Sequence, residues 1–95
     1  MGFYKLTHKA RADLKRIWLY GVKIHGLQRA DQYHQAILDR FAQIADQPYL
    51  YQAVDHIRAN YRPCVHGTDS IYYRIDGDTV EIMTILGRQD AEDWL

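Results

Sequence analysis

The sequence has 95 residues with 12 Lys and Arg against 12 Asp and Glu, and 47% of its side chains are hydrophobic. This length suits one soluble domain that covers residues 1–95 and is too short for two. The zero formal charge argues against direct nucleic-acid binding, which normally needs a basic excess. The charge is nevertheless uneven, because residues 1–50 hold eight basic and four acidic side chains and residues 51–95 hold four basic and eight acidic ones.

Cysteine content and hydropathy indicate a cytoplasmic protein. The single Cys64 cannot form an internal disulfide, whereas small secreted domains usually contain several cysteines. The N-terminal segment is charged from Lys5 onward and lacks the apolar run of a signal peptide. No stretch approaches the roughly 18 apolar residues that a membrane-spanning helix needs, so we expect no membrane contact.

The first half of the chain predicts one strand and two helices. Phe3 to Thr7 alternate between two faces as in a strand, and Thr7 is placed to cap a helix from His8 to His25. Gly26 ends that helix, and a second helix follows until Pro48 stops it. The apolar residues at helical spacing are Ala10, Leu14, Ile17, Trp18, Gly21 and Ile24 in the first helix and Ala30, Tyr33, Ile37, Leu38, Phe41, Ile44 and Ala45 in the second.

The second half predicts three strands joined by tight turns. Tyr49 to Asn60 lack a sustained period and form a tyrosine-rich connection, with a helical turn around Asp55 to Arg58 as an option. The three strands that follow cover Tyr61 to His66, Ser70 to Asp76 and Thr79 to Leu86. The first turn is Gly67-Thr68-Asp69, and the second, Asp76-Gly77-Asp78, carries the stronger hairpin signal.

The element order β-α-α-β-β-β predicts an α+β fold. An N-terminal strand and a helical hairpin pack on a small antiparallel sheet, and the first strand must pair with a strand distant in sequence. Pro63 lacks a backbone N–H and therefore suits a strand at the sheet edge or a position at a bulge.

The residues that can carry chemistry do not occur in catalytic patterns. The five histidines lack the i, i+4 helical spacing of a zinc site, and the six glycines stand singly, not in a phosphate-binding loop. Cys64 lies two residues from His66, but nothing nearby orients the pair, and we expect a buried, inert thiol. We therefore expect no metal, no cofactor and no catalytic residue.

Two features suggest recognition of another macromolecule. Arginines of the second half lie among tyrosines, an arrangement typical of recognition surfaces; the alternative is that they pair with carboxylates of the same half. Trp18 is expected in the core, whereas Trp94 is a candidate contact. The basic first helix is either a solvated face or a site for an acidic partner, and an apolar groove beside the hairpin would accept an amphipathic helix.

Several short segments occur in an order that resembles a known family. These segments are Tyr4-Lys5-Leu6-Thr7, Ala10-Arg11-Ala12-Asp13-Leu14 with Ile17 and Tyr20, Ile57-Arg58, Tyr61-Arg62, Ile71-Tyr72-Tyr73-Arg74 and Ile85-Leu86-Gly87-Arg88-Gln89-Asp90. Together they resemble the RelE/ParE toxin superfamily, and within it the ParE branch, over essentially the whole chain.

The resemblance implies a bacterial toxin of a chromosomal or plasmid type II toxin–antitoxin system. Such a toxin forms an oligomer with a ParD-like antitoxin, whose C-terminal segment wraps it. ParE-type toxins inhibit DNA gyrase, whereas RelE-type toxins cleave messenger RNA in the ribosomal A site. One fold thus carries two activities, and the residues must decide between them.

The residues favour the gyrase inhibitor. Ser70 stands where the nucleases carry arginine, Gln89 stands near a second arginine position that only a shifted Arg88 fills, and Trp94 cannot transfer a proton. The alternative is a RelE-like nuclease that uses Arg62, Arg74 and Arg88 electrostatically, and a third is that toxicity has been lost and only antitoxin binding remains. The target-binding candidates are Arg62, Arg74, Arg88, Asp90 and Trp94. The candidates for binding the antitoxin, which we expect to be acidic, are Arg16, Trp18 and Tyr20.

Overall fold

A computed structural model describes residues 2–51 and 60–87. The elements follow the predicted order, and their bounds are β1 Phe3–Leu6, α1 His8–His25, α2 Leu27–Asp46, β2 Arg62–His66, β3 Asp69–Asp76 and β4 Thr79–Gly87. The predicted bounds of α1 match the observed ones, and each predicted strand differs from the observed strand by one residue at one end. The helical turn considered at Asp55 to Arg58 lies outside the described residues. Neither helix in the described part of the chain has both the length and the apolar character to cross a bilayer.

The four strands form one mixed sheet in the order β1-β4-β3-β2. Strands β2, β3 and β4 are antiparallel neighbours, as predicted. Strand β1 pairs with the distant β4, also as predicted, but it runs parallel to it with Phe3 opposite Thr79. A parallel pair needs a long crossover, and the helical hairpin supplies part of it. Strand β2 is an edge strand, which confirms the place expected for Pro63.

Thr7 connects the start of α1 to the centre of the sheet. Its Oγ1 accepts a hydrogen bond from the Ala10 backbone N–H (3.0 Å), so the predicted helix cap is confirmed. The same hydroxyl donates to the Met83 carbonyl (2.8 Å). Met83 is the additional residue of a β4 bulge that shifts the register between Tyr72 and Tyr73. One hydroxyl thus sets both the helix start and its position on β4.

Two glycines that the sequence predicts between consecutive elements have a positive φ angle. Gly26 has φ 90° between the helices, and its N–H bonds the Val22 carbonyl at 3.0 Å. Gly77 has φ 64° in the turn between β3 and β4, where Asp76 pairs with Thr79. A side chain at either position would disfavour this backbone conformation.

The core lies between the helical hairpin and one face of the sheet. Its buried members are Ala10, Leu14, Ile17, Ile37, Phe41, Ile44, Ala45, Cys64, Ile71, Tyr73, Val80, Ile82 and Ile85. The predicted apolar stripe of α1 is buried only as far as Ile17, and Ile24 is 52% exposed. The prediction that Trp18 belongs to the core is wrong. Its side chain is half-buried, and the indole Nε1–H donates to Asp31 at 2.8 Å.

Candidate partner-binding groove

A groove of about 970 Å³ lies where the helical hairpin extends past the sheet. Both helices, the turn from Gly67 to Asp69 and the end of β4 at Gly87 form its walls. The two helices approach closely here, because a Cβ added at Gly21 would lie 3.3 Å from the Ala30 Cβ. The sheet ends before the helices do, and the inner face of the hairpin therefore borders the groove.

The three antitoxin-binding candidates come together in this groove. Arg16, Trp18 and Tyr20 all line it, and the aromatic ring of Tyr33 contributes from α2. Tyr20 is 63% exposed, and two further apolar side chains at the end of the hairpin, Ile24 and Leu27, are more than half exposed. The structure thus brings the three candidates together in one groove.

The groove is basic as well as apolar. Arg16 and Arg29 line it together with His25 and His34. The buried Asp69 carboxylate also lines it, but accepts a hydrogen bond from the Tyr33 hydroxyl at 2.7 Å. Burial of Tyr33 and its contact with Asp69 raise the pKa of this tyrosine well above its usual value, so it remains a neutral donor.

A buried carboxylate attaches one wall of the groove to the sheet. Because β1 pairs with β4 only as far as Ile82, the β4 edge beyond it lies beside α1. Asp13 Oδ2 accepts from the Ile85 N–H (3.1 Å) and the Thr84 hydroxyl (2.5 Å), and Arg16 donates to the Ile85 carbonyl (3.1 Å). Lys9 Nζ lies 3.0 Å from the same carboxylate oxygen. The Lys9–Asp13 and Asp13–Arg16 spacings match helical ion pairs, but the contacts of Asp13 with β4 join residues far apart in sequence and leave no local signal.

Arg62, one of the target-binding candidates, contacts residues that follow α2 and stabilises their position. Its guanidinium donates to the Tyr51 carbonyl and lies over the Tyr49 ring, 5.1 Å from the centroid. The neighbouring Tyr73 hydroxyl donates to the Pro48 carbonyl at 2.6 Å, and burial raises the pKa of Tyr73 to about 12. These contacts hold residues 48–51 against the sheet.

Arg74 lies on the opposite face of the sheet. It follows Tyr73, which pairs with Arg62, and successive strand residues point to opposite faces. Its Nε donates to the carboxylate of Glu81 on the facing strand at 2.6 Å, as the alternative of pairing within the second half predicted. The structure does not bring Arg62 and Arg74 together, and Arg88, Asp90 and Trp94 lie outside the described residues.

The residues considered for chemistry lie in the seam between α2 and β2. Cys64 is fully buried, as predicted for a structural thiol. Burial lowers the pKa of His66, Arg40 lowers it further, and Asp69 acts in the opposite direction. Within residues 2–51 and 60–87, no group of three His, Cys, Asp or Glu side chains is placed to hold a metal ion.

Comparisons with known proteins agree with the sequence resemblance. The model of a family described as the ParE toxin of type II toxin–antitoxin systems, parDE, matches residues 4–92. Toxin ParE1 of Caulobacter vibrioides is 35% identical over 83 residues, which cover 87% of this chain and 85% of the relative. Toxin ParE1 of Mycobacterium tuberculosis is 30% identical over 84 residues, with 87% and 86% covered.

Two solved structures share the fold. The chromosomal ParDE system of P. aeruginosa has a TM-score of 0.78 at 22% identity, with 92% of this chain and 96% of that chain covered. The toxin–antitoxin complex RelBE2 of Mycobacterium tuberculosis has a TM-score of 0.69 at 21% identity, with 92% and 98% covered. These values confirm the predicted RelE/ParE-like fold.

Proposed function

The chain belongs to the ParE toxins of type II toxin–antitoxin systems, and from this membership we propose that it inhibits DNA gyrase by binding it and is neutralised by a ParD-like antitoxin. It acts in the cytoplasm as a protein-binding inhibitor and not as an enzyme. Arg88, Asp90 and Trp94 are its proposed gyrase contacts, with Arg62 and Arg74 in support.

The positions of Arg62 and Arg74 favour gyrase over messenger RNA as the proposed target. Ribonucleolytic cleavage needs cations that converge on one phosphate. Among the described residues, Arg62 braces the segment after α2, while Arg74 pairs with Glu81 on the other side of the sheet. Position 70, where the nucleases carry arginine, is a half-buried serine. This arrangement supports binding to a protein surface.

The groove supports the antitoxin partner. It offers both apolar and basic side chains, and a surface of this kind suits an acidic amphipathic segment. The structural relatives named above are toxin–antitoxin systems, which agrees with such a partner.

An assay of the purified toxin on two targets tests the activity. We expect it to block supercoiling by gyrase and to leave messenger RNA on translating ribosomes intact. Trp94→Ala should weaken gyrase inhibition, because a tryptophan contact typically contributes a large share of an interface's binding energy. Cleaved messenger RNA with unaffected supercoiling would refute the proposal. Arg88→Ala would then be expected to slow cleavage about 100-fold or more, as for a residue that stabilises phosphate charge.

Induction in cells tests the partner. We expect the toxin alone to cause DNA breaks and growth arrest, and co-expression of the antitoxin encoded beside it to restore growth. Translation arrest without DNA damage would indicate the nuclease activity.

A further inference from the structure

We propose that the outward face of α1 binds the phosphate backbone of duplex DNA without reading its sequence. The contacts are made by Arg11, Lys15 and Lys23, which together form the cation row. Binding to DNA is a property of the toxin alone and is measured without gyrase. Its role in the cell rests on the proposed function, because a toxin bound to gyrase lies beside the DNA on which that enzyme acts.

The cation row lies on the side of α1 that faces away from the sheet. The buried residues of this helix lie on its other side, whereas Arg11, Lys15 and Lys23 are all exposed. At a helical rise of about 1.5 Å per residue, the row extends about 18 Å along the helix axis. Each strand of duplex DNA carries a phosphate about every 3.4 Å along its axis, so the row can face several phosphates at once.

No carboxylate of the described residues neutralises the cation row. Asp13 is the single acidic residue of α1, and its side chain is buried. Lys9 and Arg16, from the same helix, pair with this carboxylate at 3.0 and 3.7 Å. The ion pairs between described residues otherwise involve only the strands and the turn after β3. The positive charge of the row therefore faces solvent, where an external polyanion can neutralise it.

The zero formal charge of the whole chain does not describe this face of the molecule. The first half of the chain, which supplies both helices, carries a formal charge of +4 from eight basic and four acidic residues. Glu81 pairs with Arg74 on the face of the sheet that the helices leave uncovered. Exposed charges more than about 10 Å apart are largely screened at 0.1 M salt, so carboxylates on that far side oppose DNA binding only weakly.

The surroundings of the cation row favour a nucleic acid over an acidic protein. Protein partners gain most of their affinity from side chains that are buried in pockets. Neither the groove nor the smaller cavity beside Arg40 and Tyr51 is lined by any residue of the row. DNA needs no pocket, because its regularly spaced phosphates gain affinity by releasing counterions. Contacts between cations and phosphates carry no sequence information, so the binding is sequence-independent.

Fluorescence anisotropy of a labelled duplex tests the inference on the full-length toxin. The probe is a DNA duplex of about 20 base pairs, titrated at salt concentrations from about 20 mM to about 200 mM. Lys15→Gln is compared with Lys5→Gln, since each substitution removes one exposed positive charge. Lys5 is the matched control because it lies in β1, outside the cation row, and pairs with Asp76 at 3.7 Å.

We expect the salt dependence to count the contacts. Each phosphate contact contributes about 0.9 to the slope of log affinity against log salt, so the unmodified toxin should lose affinity roughly 500-fold over a tenfold rise in salt. Lys15→Gln should reduce this slope by about one, and Lys5→Gln should leave it unchanged. Replacing Arg11, Lys15 and Lys23 together by Gln should abolish the salt-dependent binding. A second duplex of unrelated sequence should bind within about twofold of the first.

Three results would overturn the inference. Equal losses for Lys15→Gln and Lys5→Gln would show that the attraction comes from net charge and not from the cation row. Unmodified toxin that fails to bind the duplex at the lowest salt concentration, or binds a single-stranded RNA of the same length more tightly, would also refute it. So would a Lys15→Gln variant that binds DNA normally but loses affinity for the antitoxin, because the row would then belong to an acidic protein.

The supercoiling assay separates this inference from the proposed target. If both are correct, the triple variant should inhibit gyrase more weakly than Lys5→Gln does, and the difference should shrink at high salt. A toxin that binds DNA through the cation row but leaves supercoiling unaffected would refute gyrase as the target and leave the DNA contact standing. Inhibition of gyrase without any binding to DNA would refute the contact and leave the target standing.

Discussion

Asp13 shows how one residue can replace part of a strand. Strand β1 stops at Leu6, and among residues 2–51 and 60–87 the β4 backbone beyond Ile82 has no strand neighbour on that side. The buried Asp13 carboxylate accepts from the Ile85 N–H, while Arg16 donates to the Ile85 carbonyl. A buried N–H without a partner would cost about 1–3 kcal/mol, so the two side chains offset a penalty that the short strand creates.

Replacing Asp13 should therefore destabilise the fold. Asp13→Asn keeps the size of the side chain but removes the charge that Lys9 and Arg16 face. We expect the free energy of unfolding to fall by about 1–3 kcal/mol, measured by urea denaturation. Asp39→Asn is the control, because Asp39 is exposed on α2 and bonds only Gln35 among the described residues. Equal effects of both substitutions would show that the buried network contributes nothing specific.

His66 offers a test of electrostatics in the seam between α2 and β2. Burial lowers its pKa, the Arg40 charge lowers it further, and Asp69 opposes both, while Tyr33 packs against its ring at 5.3 Å. Because the unfolded chain binds more protons below about pH 6.5, the native state loses stability as the pH falls through that range. Arg40→Gln should raise the pKa of His66 and reduce this acid loss. Histidine NMR titration measures the shift, with Lys23→Gln as a control that should leave it unchanged.

At the scale of elements, the sequence predicts the helices and strands well because each carries its own local signal. The Thr7 cap, the break at Gly26 and the Gly77 turn are all set by neighbouring residues, and all three are confirmed. The parallel direction of β1 has no local signal. The direction of β1 depends on how the helical hairpin packs across the sheet. This packing involves residues that are far apart in sequence.

The same distinction applies to the candidate site. Arg16, Trp18 and Tyr20 were found from basic and aromatic character, and they share one groove. The prediction that places Trp18 in the core is wrong, because helical periodicity shows which side of a helix is apolar but not where the covering sheet ends. The sheet ends at the turn from Gly67 to Asp69, and this turn is far from the helices in the sequence.

Thr7 provides the test at this scale. Thr7→Val retains the branched shape but removes the hydroxyl that caps α1 and bonds the Met83 carbonyl. We expect a loss of about 1–2 kcal/mol in the free energy of unfolding, read from thermal or urea denaturation. Thr79→Val is the matched control, because the Thr79 hydroxyl bonds only the adjacent Asp78 among the described residues. If Thr7→Val lowers the free energy of unfolding no more than Thr79→Val does, the Thr7 hydroxyl does not link the α1 cap to the β4 bulge.

In the molecule as a whole, the helical hairpin extends past the sheet. We expect the uncovered end of the hairpin to be less stable locally than the sheet. Strands β3 and β4 contribute most of the fully buried large side chains, whereas the end of the hairpin has solvent on several sides. Regions with few buried contacts open at lower free energy than the core.

Hydrogen exchange should report this gradient. In free toxin we expect amides of residues 19–29 to exchange faster than those at the centre of β3 and β4, and to slow when the antitoxin is bound. Exchange of intact complex and free toxin, followed by mass spectrometry, measures both effects. Equal protection along all of α1 in the free protein would contradict the picture of an uncovered hairpin end.

The pairing of β1 with β4 also affects when the protein becomes native during synthesis. Phe3 lies opposite Thr79, so the first strand to leave the ribosome waits for the last described strand before it gains a neighbour. Pairs between strands that are distant in sequence form late in folding. Until β4 is in place, Leu6 and the apolar faces of the helices have no complete sheet to pack against. A growing chain therefore cannot complete its sheet before β4 has been synthesised, so the four residues of β1 depend on the end of translation for their only described strand neighbour.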